Sequence, residues 1–358
     1  MKALFYIDTI GYGGAERVIV NLANQLIPLG YETTVVTTYR KKEEYALEKG
    51  VCRRSMDEAY NAPFLVRNLK LIKSLRAILR EQQPDIAIAF LPESIFRLVI
   101  ASAGLNIKKI FSVRSDPRFV YRTRLYKLLA KIMLPQGDGF VFQTEDARGY
   151  FPEKIQKKST IIFNQVADEF YKHREVKERS GIVATGRLVP PKEHFFLVDA
   201  FELIKDRTKE NLTIFGDGPL RERLEAYIHS KGLEKRVLLP GSVPNVAEKI
   251  YSAKVYVLSS NHEGMPNGLM EAMAAGVPCV STDCPCGGPK TLFGEKQKEF
   301  LVPVNDTQVL AESIMMVITS EDIMTLLSEE NKRRAELFTP AVVIKEWDAF
   351  IKKTIGEK

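Results

Sequence analysis

Residues 254–289, KVYVLSSNHEGMPNGLMEAMAAGVPCVSTDCPCGGP, decide how the rest of the chain is read. The apolar run Val255 to Leu258 predicts a short buried strand, and the small and glycine-rich residues after it predict a loop. A helix follows, with Asn267 expected as its N-cap, Gly276 as its stop and Pro278 just beyond. Val277 to Thr282 predicts the next strand. This order places Glu263 in a strand-to-helix loop. It puts Glu271, eight residues on, in the expected first helical turn, where backbone N–H groups lack intrahelical partners. Taken singly, a glutamate there is a helix-dipole partner and Glu263 a solvated loop charge. Taken together, with Gly264, Met265, Pro266, Asn267 and Gly268 letting the backbone come close to a ligand, they mark a binding loop.

On either side of this stretch, strand-like runs alternate with helical patterns along the chain, which predicts parallel sheets built of βαβ units and an α/β fold. In the first half the expected strands are Leu4 to Asp8, Thr33 to Thr38, Asp85 to Phe90, Lys109 to Val113, Phe140 to Thr144 and Thr160 to Phe163. A glycine-rich turn, Thr9 to Glu16, precedes an apolar-periodic helix containing Val18, Leu22 and Leu26. Its glycines do not form a dinucleotide fingerprint, yet such a turn is where amides hold phosphate. In the second half Gly181 to Glu193 reads as a strand, a turn bearing Arg187 and Lys192, and a helix from about His194. Long cationic side chains at that turn can reach a diphosphate. Two more strand-and-loop pairs follow: Leu212 to Phe215 with Gly216 and Gly218, and Val237 to Pro240 with Gly241 and Val243. One further strand is expected at Phe300 to Val304, then helices at Thr307 to Thr319, Asp322 to Leu337 and Thr339 to Ile355, the last with Thr339 as cap and Pro340 at its first position.

The chain has 358 residues, 45% hydrophobic and 27% charged, ordinary for a protein with two domains of about 170 residues each. Four cysteines, Cys52, Cys279, Cys284 and Cys286, are too few and too uneven for a disulfide framework, and a single Cys-x-Cys is a weak metal signal. The run Ala3 to Ile7 follows Met1 and Lys2 directly and nowhere do 18 apolar residues run together, so a cytoplasmic protein is expected.

The net charge of +7 is lopsided. Residues 1–172 carry 27 Lys and Arg against 18 Asp and Glu, whereas the remainder carries 25 against 27. The basic half predicts an anionic partner: nucleic acid, a membrane surface or a phosphorylated substrate. Two segments concentrate this charge. Residues 63–82 predict a helix with Leu65, Leu69, Ile72, Leu75 and Leu79 on one face and Arg67, Lys70, Lys73, Arg76 and Arg80 in a basic stripe. The segment from Arg118 to Lys131 mixes aromatic and aliphatic residues with five cations, a composition suited to an interfacial helix and equally to an amphipathic core helix. The basic residues lack interleaved stacking aromatics at the spacing of any known nucleic-acid module, which counts against nucleic acid.

The 254–289 stretch resembles the nucleotide-sugar signature of the family 4 retaining glycosyltransferases: a glutamate, seven residues, a second glutamate and alanine, then Gly-x-Pro. Here it stands as Glu263, Glu271, Ala272, Gly276 and Pro278. Gly13 to Glu16 is similar to the family's first loop, and Gly186-Arg187-Leu188 with Lys192 to its diphosphate-binding motif. The resemblance implies the GT-B architecture, two Rossmann-like doubly wound domains facing across a cleft. The expected bounds are 1–168 for an acceptor-binding domain, 169–338 for a nucleotide-sugar domain, and 339–358 for a helix crossing back onto the first. It implies retaining transfer from a UDP-sugar as co-substrate, with no cofactor. No D-x-D pair occurs, so no metal is expected and Arg187, Lys192 and helix N-termini must offset the leaving diphosphate. The roles it implies are catalytic for Glu263, Arg187 and Lys192. Gly14, Gly216, Gly218, Gly241, Val243, Gly264, Met265, Pro266, Asn267, Gly268, Leu269 and Glu271 would bind the donor. Gly13, Glu16, Lys70, Lys73, Arg114 and Asp116 would meet the acceptor. Asp283 to Pro289 resembles the subset that builds capsular or O-antigen polysaccharide on lipid carriers, implying a lipid-linked glycan acceptor and a peripheral position on the inner membrane face. The competing classes are an epimerase or glycan phosphorylase on the same fold and a non-enzymatic anion binder.

Overall fold

The computed structural model describes residues 1–11, 13–172 and 178–356, without the side chains of Phe64 and Leu65. It forms two compact units, Met1–Asn164 with Ala341–Lys358, and Gln165–Pro340.

The first unit is built on seven parallel strands: β1 Lys2–Ile7, β2 Glu32–Thr37, β3 Cys52–Ser55, β4 Ile86–Phe90, β5 Lys108–Ser112, β6 Gly139–Phe142 and β7 Ser159–Ile161. Their order is β3-β2-β1-β4-β5-β6-β7, so the direction of winding reverses between β1 and β4. β1 and β4 read as continuous apolar runs because helices cover both faces of a parallel sheet. β3 had no expected counterpart. Its sequence, Cys-Arg-Arg-Ser, is too polar to signal a strand, and it is stable because it pairs at the edge with β2 alone while Arg53 donates to Thr37 Oγ1 at 2.6 Å.

The helix Gly14–Leu26 buries Val18, Leu22 and Leu26 as the periodicity predicts. The helix Phe64–Gln82 buries Leu71, Leu75 and Leu79, whereas Leu69 is 63% exposed. Its inner face is therefore rotated away from the expected one, and Leu65 lies outside the described side chains. The expected single basic segment from 118 to 131 is two helices, Pro117–Val120 and Arg124–Met133, the second with no buried residue. The C-terminal helix Pro340–Ile355 packs its length from Ala341 on into this unit. Trp347 is fully buried and stacks on Phe90 with ring centroids 6.1 Å apart, and Tyr31 donates to Asp348 at 2.6 Å. Thr339 donates its hydroxyl back to the Glu336 carbonyl.

The second unit carries six parallel strands: β8 Ile182–Thr185, β9 Leu212–Phe215, β10 Val237–Gly241, β11 Val255–Leu258, β12 Cys279–Thr282 and β13 Leu301–Val302. The order is β10-β9-β8-β11-β12-β13, with the reversal between β8 and β11. Ligands in such sheets bind outside the carboxyl ends of the strands at that reversal. β13 is shorter than expected because Glu295–Phe300 winds into a 3₁₀ helix that buries Phe300.

After β11 the helix runs Asn267–Ala274, with Pro266 in the N-cap position and no side-chain cap bond. Asn267 is thus the first helical residue rather than the cap. Glu271 is the fifth, one residue further in than an Asn267 cap implies, and so just past the first turn. Its stop is as expected: Gly276 adopts φ 65°, with Gly276 N–H bonded to Met273 O and Val277 N–H to Ala272 O.

Candidate active site

The loops that leave β8, β9, β10 and β11 all lie at the carboxyl edge of the second sheet, and small residues let them interlock. A Cβ on Gly216 would collide with the Gly186 carbonyl, and one on Gly268 would collide with the hydroxyls of Tyr256 and Thr185. Those two hydroxyls are bonded to each other at 2.9 Å beneath the start of the helix. Burial raises the Tyr256 phenol well above its ordinary range; the Thr185 bond opposes this, and the nearby Glu271 and Glu263 carboxylates reinforce it.

At the reversal itself, the turn after β8 and the loop after β11 are stitched together. Lys192 Nζ donates to Glu263 Oε1 at 2.5 Å, and Ser260 Oγ donates to the same oxygen at 2.8 Å. Ser259 Oγ donates to the Lys192 carbonyl at 2.8 Å, and Asn261 N–H to the Pro191 carbonyl at 3.0 Å. Asn261 Nδ2 donates to Glu193 Oε1 at 2.5 Å. Glu193 sits at φ 49°, ψ 45°, a left-handed conformation that side chains other than glycine adopt at a cost of about 1–2 kcal/mol. A lysine ammonium has three donors. Glu263 takes one of the three.

Arg187 is exposed at the head of the same turn. His194, first residue of the helix His194–Ile204, is buried behind it. Burial, helped by the Lys192 charge, lowers the His194 imidazole to about 4. Glu271 is buried in its helix. Gly216, Gly218, Gly241 and Val243 occupy the ends of β9 and β10, and Gly264, Met265, Pro266, Asn267, Gly268 and Leu269 run from the Glu263 loop into the helix. The second unit therefore gathers every expected donor residue except Gly14, which opens the helix Gly14–Leu26 of the first unit.

The first unit distributes the expected acceptor residues. Gly13 takes the N-cap position of Gly14–Leu26, packed against the Glu16 carboxylate. Lys70 and Lys73 are exposed on Phe64–Gln82. Arg76, from the same stripe, is spent on the carbonyls of Ala101 and Ala103 at 2.8 and 2.7 Å. Arg114 donates to Asn164 and lies over the Phe90 ring, 4.9 Å from its centroid; burial pulls its guanidinium below the usual range. Asp116 is buried and caps Pro117–Val120 by accepting the Arg118 N–H at 2.9 Å. One constellation was not anticipated. Asp8, just beyond β1 at the reversal, accepts from Arg97 and Thr38, each at 2.6 Å. Its signal is an acidic residue closing an apolar strand. Ser260 and Asn261 carry a similar signal, directly after β11.

The family described as Glycosyltransferase Family 4 matches residues 12–170, and that described as Glycosyl transferases group 1 matches residues 179–320. A Campylobacter jejuni enzyme named GalNAc-α-(1→4)-GalNAc-α-(1→3)-diNAcBac-PP-undecaprenol α-1,4-N-acetyl-D-galactosaminyltransferase is 27% identical over 97% of this chain and 97% of its own. A second from that organism, an N-acetylgalactosamine-N,N'-diacetylbacillosaminyl-diphospho-undecaprenol 4-α-N-acetylgalactosaminyltransferase, is 23% identical over 96% and 98%. Among solved structures, Anabaena HepE in complex with UDP superposes with a TM-score of 0.80 at 17% identity, covering 99% of this chain and 100% of that one. The fold is GT-B. In order along its length the chain therefore carries a Glycosyltransferase Family 4 domain and a Glycosyl transferases group 1 domain, and it is a glycosyltransferase.

Proposed function

We propose that this glycosyltransferase moves a hexose or N-acetylhexosamine from a UDP-sugar, with retention of anomeric configuration and without a metal ion, to a polyprenyl-diphosphate-linked glycan of a surface polysaccharide such as capsule or O-antigen. It works as a peripheral protein on the inner face of the membrane. The observation that carries this reading is the Lys192–Glu263 contact at the sheet reversal, 2.5 Å long and reinforced by Ser260. As the bond between the anomeric carbon and the UDP oxygen breaks, positive charge grows on the sugar and negative charge on the diphosphate. A carboxylate and an ammonium held side by side offset both, and a preorganised pair needs no rearrangement to do so. The acceptor oxygen forms the new glycosidic bond as its proton passes to the departing diphosphate oxygen, leaving the glycoside and UDP. Glu271 accepts from the ribose hydroxyls in this scheme, and Arg187 meets the outer phosphate.

The acceptor class rests on the two Campylobacter relatives, whose names specify undecaprenol diphosphate, and on the excess cations of the first unit. The test is incubation with radiolabelled UDP-sugars and a polyprenyl-diphosphate glycan, followed by NMR of the product anomer. Transfer with retention is expected. Inversion, or use of a soluble glycan alone, contradicts the reading.

A further inference from the structure

Three helices of the first unit form one continuous surface. Phe64–Gln82, Pro92–Ala101 and Arg124–Met133 follow successive steps from β3 across to β6, and right-handed crossovers place them on the same side of the sheet. Side chains join them: Arg76 to the Ala101 carbonyl at 2.8 Å, Arg97 Nε to Asn68 at 3.3 Å, and Tyr126 Oη to Glu93 at 2.5 Å.

Two properties coincide there. Residues 61–133 contain 14 Lys and Arg against four Asp and Glu, more positive charge than the whole chain's net +7. Among the described residues, the exposed large apolar side chains of the unit, apart from Leu29, also belong to this stretch: Val66, Leu69, Ile100, Phe119, Leu125, Leu128 and Ile132. On Arg124–Met133 the apolar ones align. Leu125, Leu128 and Ile132 are 61, 55 and 56% exposed, spaced to make one outward stripe, with Arg124, Lys127 and Lys131 exposed alongside. A stripe of aliphatic side chains beside a stripe of cations is the pattern of a helix lying in a headgroup layer.

We propose that this face seats the protein on an anionic bilayer, Leu125, Leu128 and Ile132 entering the headgroup layer while Arg124, Lys127 and Lys131 meet lipid phosphates. The surface rests on the lipid-linked acceptor proposed above, and it narrows the expected interfacial segment 118–131 to the helix Arg124–Met133. Sedimentation with phosphatidylcholine vesicles, with and without phosphatidylglycerol, tests it. Wild type is expected to bind the anionic vesicles at least about tenfold better, less so at high salt. The variants Leu125→Gln/Leu128→Gln/Ile132→Gln and Lys127→Gln/Lys131→Gln are each expected to lose that binding while unfolding at the wild-type temperature, since every altered side chain is exposed. Absence of wild-type binding, equal binding to both vesicle types, or wild-type binding by the triple variant overturns the proposal. Transfer onto a short-chain prenyl-diphosphate glycan in buffer needs no bilayer. No vesicle binding with that transfer intact removes the bilayer face alone, and vesicle binding without any transfer removes the acceptor reading alone.

Discussion

Lys192 and Glu263, 71 positions apart in sequence, meet at 2.5 Å where the winding of the second sheet reverses. Each is mostly covered, so neither charge is fully hydrated, and deleting either leaves the other as a partly buried charge without its partner. The pair sits among loops whose closest approaches tolerate only glycine. Position, charge and burial therefore converge on one spot at the strand ends.

If Lys192 and Arg187 offset the departing diphosphate, turnover needs no added metal. Wild type in EDTA is expected to keep full activity, and Lys192→Ala to lose about 100- to 1000-fold in rate. Strict dependence on Mn²⁺ or Mg²⁺ in a steady-state assay contradicts this.

Glu193 keeps a strained backbone conformation while its carboxylate holds Asn261 at 2.5 Å. Glu193→Gly relieves the strain and removes the bond. Its melting temperature is expected to match or exceed that of wild type while kcat falls about tenfold, because the Glu263 loop is no longer held to the Lys192 turn. Glu193→Gln, which can still accept from Asn261, is expected to restore most of kcat. Unchanged kcat in Glu193→Gly shows that the bond positions nothing.

The His194 imidazole, lowered from 6.5 to about 4 in the fold, makes stability depend on pH. Between those values the unfolded chain binds a proton that the native site refuses, so stability falls as pH drops from about 6.5 towards 4. The loss reaches roughly 3 kcal/mol at the low end. His194→Gln is expected to flatten this part of the curve, measured as the difference between the two proteins in urea unfolding at several pH values. Parallel curves count against it.

Much of this was legible because it is local. The strand Val255–Leu258, the glycine stop at Gly276 and the eight-residue spacing of the glutamates all lie within one βαβ step, where periodicity and cap residues speak directly. What the sequence hid is what distance in the chain decides. The Lys192–Glu263 bond, the capture of Arg76 by carbonyls of a neighbouring helix, and the burial of Arg114 and Asp116 in capping and packing roles depend on which elements become neighbours. β3 was silent because an edge strand needs only one partner and can be as polar as Cys-Arg-Arg-Ser. The inner face of Phe64–Gln82 was misplaced because leucines surround that helix, and periodicity alone did not choose between Leu69 and Leu71.

In the proposed reaction Glu263 serves the reacting sugar and Glu271 the ribose of the same donor. Turnover and UDP-sugar affinity, measured side by side in Glu263→Gln and Glu271→Gln, test it most directly. Glu263→Gln is expected to lower kcat by about 100-fold or more with donor Kd nearly unchanged, and Glu271→Gln mainly to raise donor Kd. Wild-type kcat in Glu263→Gln, or wild-type donor Kd in Glu271→Gln, would contradict it.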